Sequence, residues 1–168
     1  MDKVSFKEVE TKLKRSLERL FIEDTFLLTN DANERSITHM LAFYLKHEFE
    51  HWHVDCEYNK DRHNPKRLKE LDACVREYTR SNMIGDTEGR TVYPDIIVHH
   101  RGTDENLLVI EMKKTTSNTS DSCDLIKLKR FCEQLGYFFA VFLRLDAGKD
   151  VVGRVEKKWI CKDGKLCS

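Results

Sequence analysis

Apolar residues recur through residues 3–22 as Val4, Phe6, Val9, Leu13, Leu17, Leu20 and Phe21, with charged residues between them. That spacing predicts an amphipathic helix over 3–22. The cluster TNDANERS follows, rich in capping and turn residues. A second helix is predicted from about Glu34 to His47 or slightly beyond, with Ile37, Met40, Leu41, Tyr44 and Leu45 as its stripe. Then the period changes. WHVDCEY (52–58) reads as a strand, and 59–91 as a polar, irregular insertion with a short helix after Pro65. VYPDIIVHH (92–100) and LLVIEMK (107–113) read as strands joined by the hairpin connector RGTDEN. TTSNTSDS is a loop with a cap signal, and DLIKLKRFCEQL (124–135) has a helical pattern. YFFAVFLRL (137–145) is almost continuously apolar, which predicts a strand buried on both faces. The tail, with Val151, Val152, Val155, Trp159 and Ile160, adds either a helix or a hairpin. From residue 34 onward the order is helix, strand, strand, strand, helix, strand. This is an α/β plan with a mixed sheet covered by helices.

Length and composition narrow the class. A chain of 168 residues, 40% hydrophobic and 35% charged, suits one soluble globular domain over 1–168. Zero net charge removes any whole-molecule argument for nucleic-acid binding, so that argument must come from local patches. No apolar run is long enough for a transmembrane helix, and the first residues lack a signal-peptide core. Six cysteines without a CxxC or a compact framework are expected to be reduced thiols in a cytoplasmic protein.

The strands at 92–100 and 107–113 carry the informative chemistry. Pro94-Asp95 opens one, and Glu111-Met112-Lys113 closes the other. Residues i and i+2 of a strand share a face, so Glu111 and Lys113 are expected to project together. A hairpin brings Asp95 beside Glu111. Two carboxylates suit a hard cation such as Mg²⁺, which polarises a phosphoryl oxygen and acidifies water. A neighbouring lysine positions or deprotonates that water and stabilises developing charge. Glu34, on the buried stripe of the second helix, is a further candidate ligand. Glu48 is a rival acid on the same stripe.

Pro94-Asp95, followed sixteen residues later by Glu111-x-Lys113, resembles the PD-(D/E)XK nuclease superfamily. The stretches CEYN, YPDIIVHHRGTDENLLVIEMKK and DLIKLKRF also resemble a group of small, mostly uncharacterised bacterial members. The resemblance covers residues 34–145. It implies a restriction-endonuclease-like αβββαβ core, to which the N-terminal helix 3–22 and the insertion 59–91 are additions. It also implies Asp95, Glu111, the Met112 carbonyl and Glu34 as Mg²⁺ or Mn²⁺ ligands, with Lys113 as the catalytic lysine. The expected activity is phosphodiester hydrolysis in nucleic acid, with DNA favoured over RNA. The alternative is a catalytically silent DNA-binding or assembly module.

Basic residues Lys60, Arg62, Lys66 and Arg67 in the insertion, and Lys127 on the later helix, are candidate phosphate contacts. A homodimer through the N-terminal helix is a further expectation. HEFEH (His47 to His51) has zincin spacing and raises a zinc hydrolase as a remote alternative. The strand WHVDCEY follows directly, so the helix is expected to end before both histidines share a face.

Overall fold

The computed structural model describes residues 4–69, 71, 90–163, 165 and 167. Ser5 starts the first helix, α1 (Phe6–Glu23), by accepting the Glu8 N–H at 3.2 Å. Such a cap satisfies a donor that a helix start leaves unpaired. A one-turn helix, α2 (Thr25–Thr29), lies where the sequence pattern indicated no element. Asn33 then caps α3 (Glu34–Glu48), accepting the Arg35 N–H at 2.9 Å.

Five strands form the main sheet: β1 (His53–Cys56), β6 (Ile96–His99), β7 (Asn106–Lys114), β8 (Phe139–Leu145) and β9 (Val155–Cys161), in that spatial order. Between β1 and β6 in sequence lie two small ladders, β2 (Lys60–Asp61) with β3 (Asn64–Pro65), and β4 (Arg67–Leu68) with β5 (Arg90–Thr91). β7 and β8 are parallel, and the other neighbours of the main sheet are antiparallel. A parallel pair needs a crossover, which helix α4 (Ser122–Leu135) supplies. The architecture is therefore α/β, a mixed sheet flanked by helices.

The two faces of the sheet bury separate cores. Val9, Leu13, Leu17 and Leu20 of α1 and Ile37, Leu41 and Leu45 of α3 join Leu108, Ile110, Met112, Val141 and Leu143. On the other face, Leu128, Phe131 and Cys132 of α4 join Ile97, Val109, Ala140, Phe142 and Ile160. Successive strand residues point to opposite faces, so central strands covered on both sides are apolar almost throughout. That is why residues 137–145 lack alternation.

Of the two alternatives left open for the tail, the structure takes the hairpin: its strand β9 runs antiparallel to β8. Three expectations need correction. Within the short helix expected after Pro65 (PKRLKELDACVREY), Arg67 and Leu68 are strand, while residues 70 and 72–78 lie outside the described residues. The apolar stripe of α1 packs inside the chain, so it is not available as a dimer face. Cys161 and Cys167 form a disulfide. The chain turns after β9 and runs back beside it, with Cys161 N–H donating to the Lys165 carbonyl at 2.8 Å, which sets the two Cα atoms 5.3 Å apart. This pairing removes the cysteine argument for a reducing compartment. Among the described residues, no helix is long and apolar enough to cross a membrane.

Candidate active site

The β6–β7 register pairs Ile96 with Ile110 and Ile97 with Val109. One further step sets Asp95 opposite Glu111. Residues opposite one another in an antiparallel pair share a face. The face here is that of Ile97 and Val109, the one covered by α4. Lys113, two residues beyond Glu111, projects to the same side. Asp95, Glu111 and Lys113 thus converge as the sequence pattern predicts, at the end of β7 where the ladder to β6 stops.

Asp95 is fixed by the backbone. Its Oδ2 accepts the Met112 N–H at 2.7 Å. In an antiparallel ladder one residue presents both its N–H and its carbonyl to the same neighbour. The Met112 carbonyl therefore faces the Asp95 side of β7, the side required of a backbone ligand. Burial pushes the Asp95 carboxyl up to about 6, and the nearby charges of Glu34 and Asp124 act in the same direction. The Met112 bond and Lys127 oppose that rise.

Glu111 is more strongly perturbed. It is 4% exposed. Burial, followed by the charge of Asp95, pushes it up to about 8. Its Oε2 accepts from Lys127 Nζ at 2.8 Å, while its Oε1 is buried with no hydrogen-bond partner. A buried carboxylate oxygen without a donor is costly unless a cation compensates it.

Asp124, in the first turn of α4, was missed by sequence reasoning. It is 4% exposed and lies between the lysines, 2.6 Å from Lys113 Nζ and 3.1 Å from Lys127 Nζ. Lys113 also donates to the Ser120 carbonyl. The available signal was DLIK, an acid three residues before a lysine, which become neighbours on one helical turn. Read alone, however, an acid in a first turn is explained by the helix dipole.

Glu34 approaches from the opposite face. Its Oε2 accepts the Lys114 N–H at 3.2 Å, at the end of β7. It sits close enough to raise Asp95 electrostatically. Glu48 pairs with Arg15 at 3.6 Å, at the far end of α3. Glu34 is therefore the helix acid at the site. α3 ends at Glu48 with Phe49 as its cap, which leaves His51 off the helix and off the face of His47.

The basic residues are distributed differently from the expectation. Lys127 is inside the carboxylate cluster, with its side chain 16% exposed, because α4 lays it over Glu111. Lys66 is 1% exposed and donates to the Tyr137 hydroxyl at 2.7 Å. Burial lowers its ammonium to about 8. Arg62 pairs with Asp104 in the β6–β7 connection. The partners of Arg62 and Lys66, Asp104 before β7 and Tyr137 before β8, lie at the end of these strands away from Lys113. Lys66 is corrected from a phosphate contact to a buried anchor of the insertion, whereas Arg62 is exposed and its ion pair lies at the surface. Lys60 is exposed on β2, and Arg67 is half-buried on β4.

The donor set fits a hard divalent cation. Burial pushes two neighbouring carboxyls toward neutrality despite the nearby Lys127, and one buried oxygen lacks a donor. Among the described residues, no three His, Cys, Asp or Glu side chains converge as a ready metal cage. The fit therefore rests on two carboxylates and a backbone carbonyl, an oxygen set that suits Mg²⁺ or Mn²⁺. No family model, curated protein or solved structure matches the chain.

Proposed function

We propose that this chain is a Mg²⁺- or Mn²⁺-dependent nuclease of the PD-(D/E)XK type, hydrolysing phosphodiester bonds in nucleic acid, with DNA as the favoured substrate. The observation that carries the reading is the opposition of Asp95 and Glu111 across the β6–β7 ladder, with Lys113 beside them and Glu111 Oε1 lacking a donor. Counting only the strands of the main sheet, the helix–strand–strand–strand–helix–strand order from α3 to β8 supports the restriction-endonuclease-like core.

Asp95, Glu111 and the Met112 carbonyl would hold the cation, with Glu34 at the margin of the shell. When bound, the cation supplies a Lewis acid for a phosphoryl oxygen and lowers the pKa of water. Hydrolysis adds a water oxygen to phosphorus and breaks one ester P–O bond, with a proton passing to the departing oxygen. Lys113 orients that water and places positive charge where the phosphoryl oxygens gain negative charge. The Met112 N–H keeps Asp95 oriented along the strand edge.

The experiment is incubation of the purified chain with linear and circular DNA and with RNA, each with Mg²⁺ or with EDTA. Cleavage is expected with Mg²⁺ alone, and Asp95→Ala abolishes it. Binding without cleavage supports the silent module instead. Cleavage that persists in Asp95→Ala and in EDTA overturns the assignment.

A further inference from the structure

Lys127 and Asp124 lie inside the same site, and their arrangement bears on how it is regulated; the inference rests on the cation reading above. We propose that Lys127 is a resident counter-cation of Glu111 that the divalent ion must displace, and that Asp124 receives the displaced ammonium and thereby loosens its hold on Lys113.

With Glu111 ionised, the geometry is a chain of alternating charges. Glu111 Oε2 is 2.8 Å from Lys127 Nζ, which is 3.1 Å from Asp124 Oδ1, and Asp124 Oδ2 is 2.6 Å from Lys113 Nζ. The side chains of Glu111 and Asp124 are 5% exposed, those of Lys113 and Lys127 13% and 16%. Solvent screens such a cluster weakly, so each added charge is felt by the others. A doubly charged ion on Glu111 repels an ammonium in contact with the same carboxylate. Lys127 already touches Asp124 from the next turn of α4, so it can transfer its contact by a rotamer change.

Asp124 is a single carboxylate shared by two ammonium groups. Its Oδ2 receives no aligned hydrogen bond despite the short distance to Lys113. Coulomb attraction carries that contact, and it weakens once Lys127, no longer shared with Glu111, gives its whole charge to Asp124. Lys113 is then held by the Ser120 carbonyl and is available to the reacting phosphate. The arrangement keeps the lysine restrained until the cation arrives. It also accounts for a lysine buried among acids, where a phosphate-gripping residue would be exposed.

The test is calorimetric titration of Mn²⁺ into the substrate-free wild-type chain, Lys127→Met, Lys127→Arg and Asp95→Asn at constant pH. Lys127→Met is expected to bind Mn²⁺ about tenfold tighter than wild type or more. Lys127→Arg keeps the charge and stays within about threefold of wild type. If Lys127→Met fails to fold, lysine-ammonium NMR of the wild-type chain decides: the Lys127 signal, assigned by its absence in Lys127→Arg, moves on Mg²⁺ saturation. An unmoved signal, or unchanged or weaker Mn²⁺ binding by Lys127→Met, overturns the exchange. Loss of binding in Asp95→Asn at the same time leaves the nuclease reading standing. Absence of Mn²⁺ binding by wild type and Lys127→Met alike overturns both.

Discussion

Lys113→Met is expected to lower the rate of Mg²⁺-dependent DNA cleavage by on the order of 10²–10⁴-fold, the range for loss of a positioned proton-handling group. The side chain is 13% exposed and its stem runs along a covered face, so methionine preserves packing while removing the charge. Asp124 keeps Lys127 as a partner, which limits the cost to folding. Single-turnover kinetics at saturating Mg²⁺ measures the effect separately from substrate binding. Arginine is not expected to rescue, because a planar guanidinium cannot occupy the position of a compact ammonium. A rate within a few-fold of wild type would remove Lys113 from the chemistry.

Glu111→Gln is expected to abolish cleavage and yet stabilise the cation-free protein. The folded chain holds the Glu111 carboxyl at about 8, against an ordinary value of 4.5, chiefly through burial. Between those values the unfolded chain has released a proton that the folded chain retains. Unfolding is therefore favoured as pH rises through the window, and the contribution of Glu111 is lost by its upper end. Glutamine does not titrate. Its advantage at pH 8 is on the order of 3 kcal/mol, after allowance for the lost charge on the Lys127 bond. Urea denaturation of both chains in EDTA at pH 5 and pH 8 reads the difference. The gap widens with pH, and Mn²⁺ closes it by stabilising wild type alone. Asp95, raised to about 6, adds a smaller slope of the same sign to both chains. Lys66, lowered to about 8 from 10.5, acts oppositely and above the window, again in both. A pH-independent gap would place Glu111 in an ordinary ionised setting.

The strands at 92–100 and 107–113 were legible because each couples an apolar run to a polar end, and a short connector leaves one register to choose. That register alone sets Asp95 across from Glu111. Asp124 and Lys127 were not legible as site residues, because their contacts depend on how α4 crosses the sheet, which no local pattern records. Lys66 was misread for the same reason: its partner Tyr137 is 71 residues away, and a lysine in a basic run reads as a surface charge. The Cys161–Cys167 bond was hidden because it depends on the chain turning back after a strand whose type the pattern left open. HEFEH was discounted correctly as a shared helix face, since α3 stops at Glu48 where the polar and apolar periods part.

The central claim is that one hard cation binds between Asp95 and Glu111 through oxygen ligands. Anomalous diffraction from crystals of the wild-type chain equilibrated with Mn²⁺ tests it most directly. The account predicts a single strong peak at about 2 Å from oxygens of Asp95, Glu111 and the Met112 carbonyl, absent from Asp95→Asn. A peak on histidines or cysteines elsewhere, or none at this site under saturating Mn²⁺, contradicts it.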